Sequence, residues 1–445
     1  MNTKLYKEGI IKKINKDLEK RDQLNRFNIN KQMGKQLDKI LFHSRIYKNY
    51  RLYQVANRLP QIKLYREAVY SGKSNTPQRY QTAQRLMHSN GVRVKRIPEN
   101  WWVVLISCID DKATEEILVD NAKTIDYKLL SPGEWLEFSS FMIGLMFYET
   151  ALIFRKKALD KAMAYLKGKN IINKIIYADM ALGATIETFD LEMLPKSIKT
   201  SQFLGGSCSK NPNMEIMNSL IKTRKWTYFD ETELDFKKII EKKKIAIVGP
   251  LTDEEAYEDE INSSDLVIKL NLVDLEKVKS KLRNDILYLA NPVMPKFIEI
   301  NAGKPFNQST AVVSRSQKYL QTLTGEVLFR SMPELNPFTF NGGLNMIQRT
   351  IIDLSRFCPK QIKVYGTNLY ASLNYNENYQ GIVSSSGYRY YLDQLVQHDL
   401  ITQFKVTKRL HDLGMFVGDT ELEKILALDL EGYLRKIKSV YKENI

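Results

Sequence analysis

Residues 243–271 read KKIAIVGPLTDEEAYEDEINSSDLVIKLN. An apolar run, Ile245 to Val248, ends in the turn Gly249-Pro250. An acidic helical stretch follows, and Ser263-Ser264-Asp265 leads into a second run, Leu266 to Leu270, that closes on Asn271. Short apolar runs without strict alternation fit strands covered on both faces. Comparable runs recur at Ile286 to Ala290, Ala311 to Ser314, Val327 to Phe329 and Ile362 to Gly366, with helical stretches between several of them, most clearly Gly343 to Phe357. The expected architecture is α/β: a mostly parallel, Rossmann-like sheet flanked by helices over residues 237–445, binding ligands at the carboxyl ends of its strands.

Upstream, FKKIIEKKK (236–244) reads as a charged helix end feeding the first strand. Residues 111–236 read as a helical domain, with paired helices over 111–190. Ser131-Pro132-Gly133-Glu134 is a helix start. Trp135, Phe138, Met142, Leu145, Ala151 and Ala158 mark successive turns after it, and Gly144, Tyr148, Glu149, Ala151, Ala158 and Ala162 resemble one unit of a tetratricopeptide repeat. Residues 1–110 form a basic, mainly helical region. Leu5, Ile10, Ile11, Ile14 and Leu18 recur at helical spacing among lysines, and a small hairpin is expected at Val92–Pro98 and Trp101–Ile106.

The net charge of +16 is concentrated at one end. Residues 1–96 hold 23 Lys and Arg against 6 Asp and Glu; the rest of the chain holds 44 against 45. Such a field attracts anionic lipid head groups, polyanionic glycans or nucleic acid, or serves only as a solvated surface. Three distant cysteines, Cys108, Cys208 and Cys358, form neither a zinc pattern nor a disulfide framework. The stretch Phe138 to Tyr148 is too short to span a bilayer, and Met1 to Leu41 carries no apolar run. The expected location is cytoplasmic, with the inner membrane face as the docking place for residues 1–96.

No G-x-G-x-x-G occurs after the first strand, so a dinucleotide fingerprint is absent. Val248-Gly249 and Ser264-Asp265 through Asn271 instead resemble the large motif of the sialyltransferases, with Pro250 in place of the family's asparagine and Lys269 in place of its arginine. Asn341-Gly342-Gly343, Cys358 and Val364-Tyr365-Gly366 are similar to its small motif. His398 with Gln403 is similar to its last motif, where glutamate is usual, and Tyr388-Arg389-Tyr390-Tyr391 stands where a His-Tyr-Tyr motif belongs. The resemblance covers about 170 residues.

This resemblance implies a metal-independent glycosyltransferase that moves a sugar acid from a CMP-sugar donor to a glycan or lipid-linked acceptor, with no cofactor. No Asp-x-Asp metal motif is evident at the strand ends. His398 would be the general base, expected to titrate near neutrality. Asn271 would contact the nucleotide, as would Gly249 at the first turn. Asn341, Gly342 and Gly343 would line the cytidine ribose, and Arg389 or Tyr390 would meet the donor phosphate. Bland roles compete: Asn271 as a turn cap, His398 as a satisfied core histidine, Tyr390 as a core aromatic. Transfer of Kdo rather than sialic acid fits the same motifs. A nucleic-acid-binding protein, supported by the basic segment and its interleaved tyrosines, and a catalytically inactive scaffold remain the alternatives.

Overall fold

The computed structural model describes residues 114–203, 229–373 and 398–441, apart from short breaks within those spans. The expected basic region 1–110, with its amphipathic helix and hairpin, lies outside the described residues, as do Arg389 and Tyr390. The chain divides into two compact units, one of residues 1–185 with 192–207, the other of 186–191 with 208–445.

The first unit is helical where described. Its helices are α1 (Glu115–Thr124), α2 (Pro132–Gly144), α3 (Tyr148–Lys167), α4 (Ile171–Thr188, ending across the unit boundary) and α5 (Leu194–Phe203). Pro132 begins α2, as the sequence indicates. The apolar positions from Trp135 to Ala158 fall on two successive helices. Met146 takes a left-handed φ of 60°, and Phe147 N donates to Met142 O at 2.9 Å. The chain turns there, and α2 and α3 pack as a hairpin. Trp135 stacks on Phe154 at 5.6 Å, and Ser139 Oγ donates to Ala151 O at 2.8 Å. Both are fully buried links that tie the pair across its turn. No helix among the described residues is long and apolar enough to cross a membrane.

The second unit is α/β. Helix α6 (Glu231–Ile240) leads into β1 (Lys244–Val248), followed by α7 (Glu254–Asn262), β2 (Leu266–Leu270), β3 (Ile286–Leu289), α8 (Met294–Asn301), β4 (Ala311–Ser314), α9 (Gln317–Leu320) and β5 (Leu328–Ser331). Helix α10 (Met346–Ser355), β6 (Gln361–Tyr365), α11 (Leu400–Asp412), β7 (Val417–Gly418), α12 (Thr420–Leu426) and α13 (Leu430–Tyr441) complete it. The seven strands form one sheet in the order β5-β4-β3-β2-β1-β6-β7, and every pairing is parallel.

The burial pattern explains the sequence runs. Every residue of β3 and β4 is buried, because each face of the sheet is covered. Leu287, Leu289 and Val312 form a core cluster with Met294 and Phe297 of α8. Tyr288 points the opposite way, where its hydroxyl donates to Asp353 of α10 at 2.8 Å. Side chains in a strand alternate between faces, so helices cover both. The chain winds outward from β1 to β5, then returns to place β6 on the other side of β1. That reversal is a topological switch point, and open α/β sheets bind ligands at the carboxyl ends beside it.

At the switch point the two backbones touch. Gly249 N donates to Tyr365 O and Leu251 N to Gly366 O, each at 2.8 Å. A Cβ on Gly249 would lie 2.5 Å from Gly366 O, and one on Gly366 only 2.1 Å from Thr252 N. Gly366 also has φ +63°. These glycines permit strand-end loops to pack against each other.

On the α10 face lies a buried charge network. Arg330 of β5 binds Asp353 through two bonds of 2.6 and 2.8 Å and reaches Glu233 of α6 at 3.1 Å. Arg356 binds the same Glu233 oxygen at 2.5 Å. Phe236 and Phe357 flank Arg330 at 4.7 and 4.8 Å. Burial alone would raise the Asp353 carboxyl. The Arg330 charge and hydrogen bonds, with Arg356 behind them, outweigh it and hold that carboxyl below its ordinary range.

Candidate functional site

In a parallel sheet, a helix that returns the chain to the next strand starts at the carboxyl edge. Helix α10 precedes β6 and α11 precedes β7, so both N-termini, and His398 just before α11, lie at that edge. The local sequence dictates both starts. Asn345 caps α10, its Oδ1 accepting from Ile347 N at 3.0 Å. Asp399 caps α11, its Oδ1 accepting from Thr402 N at 2.8 Å.

The two helix starts are bound to each other. Asn341 Nδ2 donates to the second Asp399 oxygen at 2.8 Å. Gly342 has φ +67°, and a Cβ there would lie 2.7 Å from Asp399 N. Only glycine allows the turn before α10 to lie so close to the start of α11. Gly343 O then accepts two bonds, from His398 Nδ1 at 2.9 Å and from Gln403 Nε2 at 2.7 Å. Gln403 Oε1 accepts in turn from Asn345 N at 3.1 Å. Asn341, Gly342, Gly343, His398 and Gln403, expected in separate motifs, thus form one connected site.

The bond to Gly343 fixes the imidazole. A carbonyl only accepts, so Nδ1 carries the proton and the neutral ring presents a bare Nε2 lone pair. Nε2 has no partner among the described residues. The ring keeps some solvent exposure, yet protein surrounds it closely. Burial pushes its pKa down to about 4; the Gly343 bond opposes that, and the nearby Arg349 and Arg315 cations reinforce it. The expectation of titration near neutrality is therefore corrected: at pH 7 this histidine is neutral, because its desolvated ring sits near two cations.

Arg315 and Arg349 carry no motif signal and emerge only from the fold. Arg315 follows the last residue of β4. Arg349 is 4% exposed, and its Nε donates to Leu344 O at 2.7 Å, tying the guanidinium to the Gly343 turn. Tyr370, four residues past Gly366, lays its ring nearly parallel to that of His398, at 6.3 Å and 24°. The ends of β4 and β6 and the starts of α10 and α11 all contribute to the surroundings of one imidazole.

Two predicted residues stand elsewhere on the same edge. Asn271 ends β2 with φ 56°; its N donates to Tyr288 O at 2.9 Å, and its Oδ1 accepts from Ala290 N at 2.8 Å. The turn-cap role accounts for that oxygen. Gly249 meets the β6 end, as described above. No contact joins either residue to His398 among the described residues. Cys358 is exposed and left-handed at the end of α10, φ 51°. Among the described residues, no three His, Cys, Asp or Glu side chains gather as a metal site would require. Compared with known proteins, the chain matches no family model, no curated protein and no solved structure.

Proposed function

We propose that the second unit is a glycosyltransferase that uses a CMP-activated sugar acid, with His398 as general base. One observation carries the reading: at the carboxyl edge of a parallel α/β sheet, His398 is held through Nδ1 by Gly343 O, and its Nε2 has no partner among the described residues. A base that takes a proton from an acceptor hydroxyl needs a fixed, neutral lone pair at the operating pH, and the low pKa ensures neutrality. A pKa of about 4 makes a weak base in the empty site. Arrival of an anionic donor near Arg315 and Arg349 offsets their charge and raises the basicity of the ring. Proton uptake then strengthens as the phosphate begins to leave.

The two arginines suit the donor. A CMP-linked sugar acid carries one phosphate and one carboxylate, and guanidinium groups match both anions by charge and shape. The turn Asn341-Gly342-Gly343 stands beside the base, where a ribose or phosphate would approach. The sialyltransferase-like motif order supports the CMP donor in particular. In this reading the basic segment 1–96 holds the enzyme at an anionic membrane or glycan, and its salt dependence is its signature.

The test is donor turnover and nucleotide binding on the same protein. His398→Ala should reduce hydrolysis and transfer of CMP-sialic acid or CMP-Kdo by at least about 100-fold, the usual worth of a general base, while CMP affinity measured by calorimetry stays within a few-fold. Absence of CMP binding in the unmodified chain would overturn the donor assignment.

A further inference from the structure

Tyr370 reaches His398 from an unusual piece of backbone. Leu369 and Tyr370 are consecutive non-glycine residues with φ of 52° and 73°. Such a conformation is strained for a side-chain-bearing residue, so the turn persists only if its surroundings hold it. A short-range bond within the turn runs from Ala371 N to Asn368 O at 3.0 Å.

The hold comes from the C-terminal helix. Tyr433 Oη donates to Leu369 O at 2.6 Å. Tyr441 Oη donates to Tyr370 O at 2.8 Å and also bonds to Ser372 O. Both tyrosines are fully buried. Each hydroxyl has one proton to give: Tyr433 fixes the Leu369 carbonyl, and Tyr441 shares its proton between the Tyr370 and Ser372 carbonyls, so both carbonyls of the left-handed pair are held. Tyr433 has a second contact: its ring stacks on Phe404 of α11 at 4.5 Å and 9°. Helix α11 follows directly on His398. The same side chain therefore grips the helix that carries the imidazole and the turn that carries Tyr370.

We propose that α13 is a positioning element for His398: Tyr433 and Tyr441 clamp the left-handed Leu369–Tyr370 turn so that the Tyr370 ring covers one face of the imidazole and keeps water from it. Tyr433 and Tyr441 act through Tyr370 and never meet a reacting group. This inference goes beyond the CMP-sugar reading and stands whatever the ligand. The other groups around the ring are Arg349 from α10, Arg315 after β4, and Asp399, whose carboxylate binds Asn341 and Thr402. None of these belongs to the clamp, so their contribution stays constant across the variants below.

The test follows the ε1 proton of His398 by NMR through a pH titration of the full chain. The resonance is identified by its loss in His398→Gln, one of four histidine signals. Releasing the clamp with Tyr433→Phe plus Tyr441→Phe should raise the His398 pKa from about 4 by about one pH unit or more, as the ring rehydrates. Tyr370→Ala should do the same, and Tyr370→Phe should leave the value unchanged. An unaltered pKa in Tyr370→Ala would overturn the role of the ring. An unaltered pKa in the folded double variant, with Tyr370→Ala elevated, would overturn the clamp. Circular dichroism verifies the fold of the double variant; if it does not fold, the single variants Tyr433→Phe and Tyr441→Phe, each expected to give part of the rise, decide between the same outcomes.

Discussion

His398 and Gln403 share one carbonyl, and the chemistry of each depends on it. The amide of Gln403 both donates to Gly343 O and accepts from Asn345 N. A carboxylate can do only the second. Glutamine at this position supplies the donor that a carboxylate lacks. Gln403→Glu should place a buried negative charge against Gly343 O, lower stability by about 1–3 kcal/mol, and raise the His398 pKa through the added anion. Urea denaturation and the His398 titration read the two effects separately. The sequence singled out His398, Asn341, Gly342 and Gly343 by their resemblance to separate motifs, and the fold brings them into contact. It missed Arg315, Arg349 and Tyr370, which lie far from His398 in the chain and have no shared pattern. Asn271 was legible as a position and ambiguous as a role, since a turn cap and a ligand contact require the same side chain.

Helix α10 depends on its charge network for docking. It presents Asp353 to Arg330 of β5 and Tyr288 of β3, and Arg356 to Glu233 of α6. Removing one partner leaves a buried charge without compensation, which costs about 3–5 kcal/mol. Asp353→Asn should therefore lower the urea-derived stability by that amount. The double change Arg330→Met with Asp353→Leu should cost less than Asp353→Asn alone, because both members of the tightest pair are removed together. Additive costs would refute the coupling. The switch-point loops make a second element-level case. Gly366→Ala sets a Cβ 2.1 Å from Thr252 N at φ +63°, and thermal unfolding should show a loss of about 2 kcal/mol or more. At this level the sequence read well: six apolar runs became β1 to β6, and Gly343 to Phe357 became α10. The missed strand, β7, has only two residues, Val417 and Gly418, too few for a periodic signal. The pairing of α2 with α3 was legible in the segment Trp135 to Ala158, but the place of its turn, at a left-handed Met146, has no periodic signal.

Acid should unfold the sheet unit in two stages. Folded His398 takes its proton near pH 4, against an ordinary 6.5, so unfolding takes up a proton between those values. Stability is complete above about pH 6.5 and falls as the pH drops toward 4, by no more than about 1.4 kcal/mol per pH unit. Asp353, held below its ordinary 3.8, contributes stability that is complete above that value and is lost as the pH falls further. His398→Asn should flatten the first stage and leave the second, as measured by urea midpoints between pH 7 and pH 3. Across the whole chain, the run lengths and turn residues determined by themselves that residues 237–445 hold a mostly parallel, doubly covered sheet, because burial on both faces demands continuous apolar strands. The crowding of charge into residues 1–96 is likewise a property of sequence alone. Only the tertiary structure decided which histidine nitrogen is bare, which arginines flank it and what holds Tyr370 against it. Those facts depend on contacts such as His398 with Gly343, 55 positions apart, and Tyr441 with Tyr370, 71 positions apart, and no local pattern encodes the closing of such long loops.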